Sequence, residues 1–282
     1  LTDVTGVQTC ALPIWIDCRK GEYVMASYLQ LMQMAAANRG WQLDVVNSTS
    51  IAGVVSTLTG ETITVHWGDG TSNTYSGTDQ AYSHNYGSAG NRVITVTNHN
   101  ALTKLTMTTA GACLSFTLAS MPRSMTYLYL TSTSSTITGA LSDLPSGMTY
   151  LNLSSTSSTI TGALSDLPSG MTYLSLYSTS STITGALSDL PSGMTVLHLY
   201  STSSTITGAL SDLPSGMTVL HLYSTSSTIT GALSDLPSGM TVLHLSNTTS
   251  TITGALSDLP SGMIYLHLEI EERRVGKECR SR

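Results

Sequence analysis

Four histidines, His198, His221, His244 and His267, recur at intervals of 23 residues. On neighbouring strands such a column would hold imidazoles about 4.8 Å apart, the ordinary spacing between paired strands. Imidazole is a common ligand of Zn²⁺ and Cu²⁺, so metal chelation is the first chemistry to weigh. No carboxylate or thiol joins the column, so neither a specific metal site nor any other cofactor is expected. A second column is Asp143, Asp166, Asp189, Asp212, Asp235 and Asp258. Stacked carboxylates repel unless they are solvated or bridged by Ca²⁺, and solvated N-caps of the short Leu-Pro-Ser-Gly turn are the plainer role. The sequence shows no nucleophile–base–acid set, no carboxylate pair at a unique place and no phosphate-binding loop. The expectation is therefore a protein that is not an enzyme.

The elements that position these columns are tandem repeats. From Met125 the sequence repeats every 23 residues, with phase markers Met125, Met148, Met171, Met194, Met217, Met240 and Met263. Leu102, Leu105, Met107 and Pro122 hold the same phase one unit earlier, so a degenerate first unit begins at Leu102 and the last, partial one ends at Leu268. A period of this size predicts a solenoid, each unit burying its apolar face against its neighbours. Within a unit, Met148, Leu151 and Leu153 have the spacing of a strand entered from a turn. Alternation sends the two leucines inward and Tyr150 and Asn152 outward. Ile160, Leu164 and Leu167 complete the core, Gly162 and Gly170 permit tight bends, and Pro168 prevents a long helix.

Outward positions are where the copies differ. The column beside the core leucines reads Tyr129, Asn152, Ser175, His198, His221, His244 and His267, flanked by Tyr127, Tyr150, Tyr173 and Tyr265 on one side and Tyr177, Tyr200 and Tyr223 on the other. Invariant core letters beside changing surface letters suggest a face free to diversify, and tyrosine is a favoured interface residue. Drift at exposed positions is the plain alternative. The candidate ligand-binding face is Tyr129, Tyr150, Tyr173, Tyr177, His198, Tyr200, His221, Tyr223, His244 and Tyr265. A separate pattern, Thr136-Ile137-Thr138 and its copies through Thr251-Ile252-Thr253, would project two files of threonine if Ile points inward. Such T-x-T arrays resemble the ice-binding face of β-solenoid antifreeze proteins, although Thr is also simply a good strand residue.

The run ITGALSDLPSGMTYLNLS resembles the plant-type leucine-rich-repeat consensus. It departs from that pattern where STSST replaces the Asn expected after the strand, so Ser and Thr hydroxyls must supply any side-chain ladder that closes the turn. Ahead of the repeats, Ile63, Val65 and Trp67 alternate with Thr62, Thr64 and His66 before the turn Gly68-Asp69-Gly70, and a second strand covers Arg92–Thr97. Trp67–Thr71 (WGDGT), His84-x-Tyr86 and Ser88–Gly90 resemble the PKD-like β-sandwich family, which implies an extracellular spacer or interaction module. Asp69 is expected to hold the turn rather than to bind metal or catalyse. Glu22–Asn38 is rich in helix formers and ends at Arg39-Gly40, predicting one amphipathic helix.

Both ends of the chain are out of character with the rest. Val4–Ile14 and Arg273–Arg282 resemble translated sequencing adapter, and no Lys or Arg occurs between Ser124 and Glu272. Segments 1–14 and 269–282 are accordingly read as adapter-derived. The division that follows is a segment 15–60 with its helix, a PKD-like module 61–101 and repeats 102–268. The expected architecture is mainly β: a leucine-rich-repeat-like, right-handed parallel solenoid after a small PKD-like β-sandwich module and one N-terminal helix. Setting the ends aside leaves Cys18 and Cys113, too few for a disulfide framework. Net charge is −6, which lacks the basic footprint of a nucleic-acid binder. No apolar run reaches the ~18 residues of a membrane span, so no membrane insertion is expected. A surface recognition protein of the adhesin or phage-tail kind, outside the cell and binding protein or carbohydrate, is the function these features favour.

Overall fold

The computed structural model describes residues 15–17, 22–24, 40–109, 113–131, 135–154, 157–178, 180–201, 203–224, 226–248 and 250–270. The chain divides into two compact units at Gly40/Trp41. In the first, Trp15–Asp17 (β1) and Glu22–Val24 (β2) pair antiparallel, Trp15 opposite Val24. The helix expected over Glu22–Asn38 is corrected at its start, because Tyr23 and Val24 favour a pleated pairing over a helical turn. Residues 25–39 of that expectation lie outside the described residues.

The second unit is mainly β and is built around a stack of coils that repeat every 23 residues. The front strand of each coil carries the Met-x-x-Leu-x-Leu segment. Leu102–Thr109 (β7) pairs parallel with Tyr127–Thr131, which pairs with Tyr150–Ser154, and so on through Tyr265–Ile270. Equivalent residues stand opposite one another, Leu151 against Leu174 and Leu153 against Leu176. Glu269 and Ile270 continue the last strand, Glu269 opposite Ser246.

Each coil also has a second strand. Cys113–Thr117 (β8) starts a parallel sheet continued by Thr136–Ala140, Thr159–Ala163 and their copies to Thr251–Thr253. Here the register slips by two residues per coil, so Thr138 faces Thr159 and Gly139 faces Ile160. The glycine column requires its residue type. Gly139 through Gly254 have φ between +114° and +128°, and a Cβ on Gly185 would lie 3.0 Å from the Leu164 backbone nitrogen of the preceding coil. A short 3-10 turn, Leu164–Asp166 in the third coil, closes each circuit. Met171, Leu174, Leu176, Ile183 and Leu187 show how completely one coil is buried, none more than 3% exposed. The inward positions read from the sequence are thus the observed core.

Hydroxyls join one coil to the next. Ser158, Ser181 and Ser204 are buried, and each accepts the backbone N–H of the Ile in the coil before it at 3.0–3.1 Å. This is the serine ladder that the missing Asn calls for. A threonine ladder runs beside it: Thr149, Thr172, Thr195, Thr218 and Thr241 each donate Oγ1–H to the Thr carbonyl one coil earlier, at 2.9–3.1 Å.

The strands ahead of the repeats join the stack. Trp41–Thr57 (β3) lies antiparallel to Gln80–Thr97 (β6), and Thr62–His66 (β4) pairs with both Ser72–Ser76 (β5) and β6. The other edge of β3 meets the first coil. Asp44–Val46 pair with β8, and Ile51–Thr57 pair with β7. A bend at Asn47, φ +60°, with the Ser48 hydroxyl donating to the Ser50 carbonyl at 2.8 Å, lets one strand follow both edges. Gly53 sits where the strand is crossed, since a Cβ there would meet the Thr106 carbonyl at 1.9 Å.

Candidate functional site

The front sheet positions the candidate residues by its register. Because equivalent residues pair directly, equal side chains on successive coils are forced into contact. Tyr127, Tyr150 and Tyr173 form one stack, with ring centroids 4.1 and 4.2 Å apart and planes within 13°. Tyr177, Tyr200 and Tyr223 form another, at 4.3 Å and 14–15°. Between them runs the histidine column, His198 to His221 at 4.6 Å, His221 to His244 at 5.1 Å and His244 to His267 at 4.5 Å.

The second tyrosine stack and the histidine column are the two walls of a groove of about 150 Å³, lined by Ser175, Tyr177, His198, Tyr200, His221, Tyr223 and His244 over a floor of Leu176, Leu199 and Leu222. It crosses the strands and so runs along the stack. Burial is the main cause that keeps His198, His221 and His244 below the ordinary imidazole value of 6.5, and neighbouring imidazoles push His221 and His244 the same way. These rings are therefore neutral at pH 7. The Nε2 atoms of His198 and His221 are buried without a protein hydrogen-bond partner, a costly condition for a polar atom.

The structure does not bring all the candidate residues together. Tyr177, His198, Tyr200, His221, Tyr223 and His244 meet in the groove, whereas Tyr150 and Tyr173 belong to the other stack. Tyr129 stands opposite Asn152 on the same face, away from the groove lining. Tyr265 lies at the far end, 5.8 Å from His244 and 46% exposed. Ser175 lines the groove, and Lys104 places its ammonium 4.8 Å from the centre of the Tyr127 ring. Both hold the phase of the columns already recognised, Ser175 one coil before His198 and Lys104 one coil before Tyr127. Ser175 lacked an aromatic ring to mark it, and Lys104 sits in the degenerate unit.

Two other sequence-level candidates take structural roles. The Asp column is corrected from caps of the Leu-Pro-Ser-Gly turn. Each carboxylate reaches back to accept the Ala N–H three residues upstream, as Asp166 does from Ala163, at 2.8–3.0 Å throughout. It closes its own 3-10 turn from the last position, because that is where an unpaired N–H lies within reach of a short side chain. Asp69 accepts both the N–H (3.0 Å) and the hydroxyl (2.6 Å) of Thr71, with His84 Nε2 2.8 Å from its other oxygen. Those bonds hold its carboxyl well below the usual range. His84 in turn stacks on Trp67 at 4.8 Å. Among the described residues no three His, Cys, Asp or Glu side chains are grouped as a metal site.

No protein-family model matches the chain, and neither a curated protein nor a solved structure matches it.

Proposed function

We propose that this protein is a non-catalytic recognition protein whose front sheet binds a protein or glycan on a surface outside the cell. The observation that carries the reading is the groove itself. Residues that differ between otherwise near-identical coils, two columns of Tyr and His, converge as its walls. A leucine-rich-repeat-like solenoid held out by a PKD-like module, as in surface adhesins or phage tail-associated proteins, fits that task, since stacked coils present an extended surface. Front-face side chains bear little on the core, so their exchange separates binding from folding. The quadruple variant His198→Ser, Tyr200→Ser, His221→Ser and Tyr223→Ser is expected to keep its melting temperature within a few degrees while losing all signal on a glycan and surface-protein array. Equal binding by parent and variant would make the face an inert spacer.

A second reading rests on the other sheet. Ile160, Ile183, Ile206 and Ile229 are buried while Thr159, Thr161, Thr182, Thr184 and their copies are exposed, and the slipped register pairs Thr161 with Thr182 across coils. Paired threonines on a regular sheet suit ice binding. That reading expects thermal hysteresis, abolished by Thr161→Tyr with Thr184→Tyr and untouched by the front-face variant.

A further inference from the structure

We infer that the groove takes a neutral polysaccharide in extended form, laid along the coil axis with one sugar to a coil; this rests on the reading of the front sheet as a recognition surface.

Charge gives the first argument. Neither groove wall carries a carboxylate, an ammonium or a guanidinium group, and the buried imidazoles are uncharged at neutral pH. A charged ligand would lose its hydration here with no counter-charge to offset the loss. What the walls offer is phenolic hydroxyl on one side and imidazole nitrogen on the other, both able to donate and to accept.

The stacking geometry says how those groups are presented. In a stack at 4.3 Å the ring faces cover one another, so the groove sees ring edges and hydroxyls. Free faces remain only at the ends of the stack. Tyr177 is such an end, 44% exposed and paired with Ser154 rather than with another ring. A hydroxyl-rich ligand can thus hydrogen-bond along the wall and lay one apolar sugar face on Tyr177.

Pitch chooses among linear polymers. Tyr177, Tyr200 and Tyr223 stand in register, as do His198, His221 and His244, so the same pair of groups recurs at the inter-strand spacing of about 4.8 Å. An extended peptide repeats its side-chain direction every ~6.7 Å and falls out of step by the second coil. An extended β-1,4-linked pyranose chain advances by nearly one inter-strand spacing per sugar with successive sugars turned over, so it stays in step with the coils and brings equivalent groups to every second one.

The test is isothermal titration calorimetry on the full chain with β-linked glucose and mannose oligomers, from disaccharide to hexasaccharide. α-Linked glucose oligomers, which curl, and β-linked uronate oligomers, which are charged, serve as controls. Affinity should rise several-fold per added sugar and level off at the tetrasaccharide, the length of the lined groove, with both controls at least tenfold weaker. Tyr200→Phe keeps the ring stack and removes one hydroxyl. It should weaken the β-linked tetrasaccharide about tenfold with the melting temperature unchanged. Affinity independent of length, or uronates bound as well as neutral oligomers, overturns the proposal. If the array yields a protein ligand while no β-linked oligomer binds, the polysaccharide is wrong and the recognition reading stands; if neither yields a ligand, both fall.

Discussion

The first and last coils of the stack place apolar residues at the same core positions and meet different fates. At the first, β3 runs along both strand edges and buries Trp41, Leu43 and Val45 to 2% exposure or less. At the last described coil, Leu256 is 74% exposed, Ile264 is 83% exposed, and Leu266 and Leu268 are only partly buried. Even the threonine ladder stops there, because Ile264 replaces Thr and brings a backbone N–H but no hydroxyl to the Thr241 carbonyl. A repeat stabilises only its neighbours, so an end is closed by sequence unlike the repeat. An antiparallel strand with a bend does this at one end, meeting two edges that no further coil covers.

Four changes would break or sharpen that contrast. The largest effect is expected at the closed end, where Leu43→Ala should cost about 2–5 kcal/mol, as full burial predicts, read from urea unfolding. A loss under 1 kcal/mol would mean the strand lies on the stack without stabilising it. In the middle, Ser204→Ala removes the acceptor of the Ile183 N–H and should cost about 1–3 kcal/mol. Ser204→Thr, which retains a hydroxyl, should recover part of it if the ladder and not the volume matters. At the last described coil, Leu266→Ala should cost about 1 kcal/mol and, unlike Leu43→Ala, leave amide exchange in the first coils unchanged. The smallest effect is that of pH. The folded chain holds the protons of His198, His221 and His244 less readily than free imidazole does. Their contribution to stability is therefore complete above pH 6.5 and declines as pH falls below it. Replacing the three with Ser should flatten the slope of urea midpoint against pH between 7.5 and 5, and an unaltered slope would assign it to other groups.

Much of the stack was legible because its period repeats one answer many times. Met148, Leu151, Leu153, Ile160 and Leu164 recur at fixed phase, and the alternation around them fixes which side faces in. The hydroxyl ladder could be anticipated from what replaced the expected Asn. The second strand was harder, because Thr-Ile-Thr-Gly-Ala is short and contains a glycine at positive φ that local propensity alone does not place. The role of Trp41–Thr57 was out of reach for another reason. Its alternation announces a strand, but pairing with β7 and β8 depends on residues 45 to 71 positions away, and no local pattern encodes that. On the site, the columns were visible in the sequence, while the groove was not. It arises from the register that stacks Tyr on Tyr and His on His.

The hydroxyl ladders have a direction. Every threonine donates backwards, to the coil before it, and offers its own carbonyl to the coil after it. A coil in the middle of the stack therefore sees the same surroundings whether it is the third or the fifth. Insertion or loss of one whole unit by slipped copying of the gene leaves every remaining coil with a proper neighbour, whereas any other length change shifts Tyr, His and Gly out of line. The groove can thus lengthen or shorten by a single step in one mutational event, with no accompanying repair elsewhere. Its length becomes a trait that a population can vary far more quickly than it could by substituting residues one at a time.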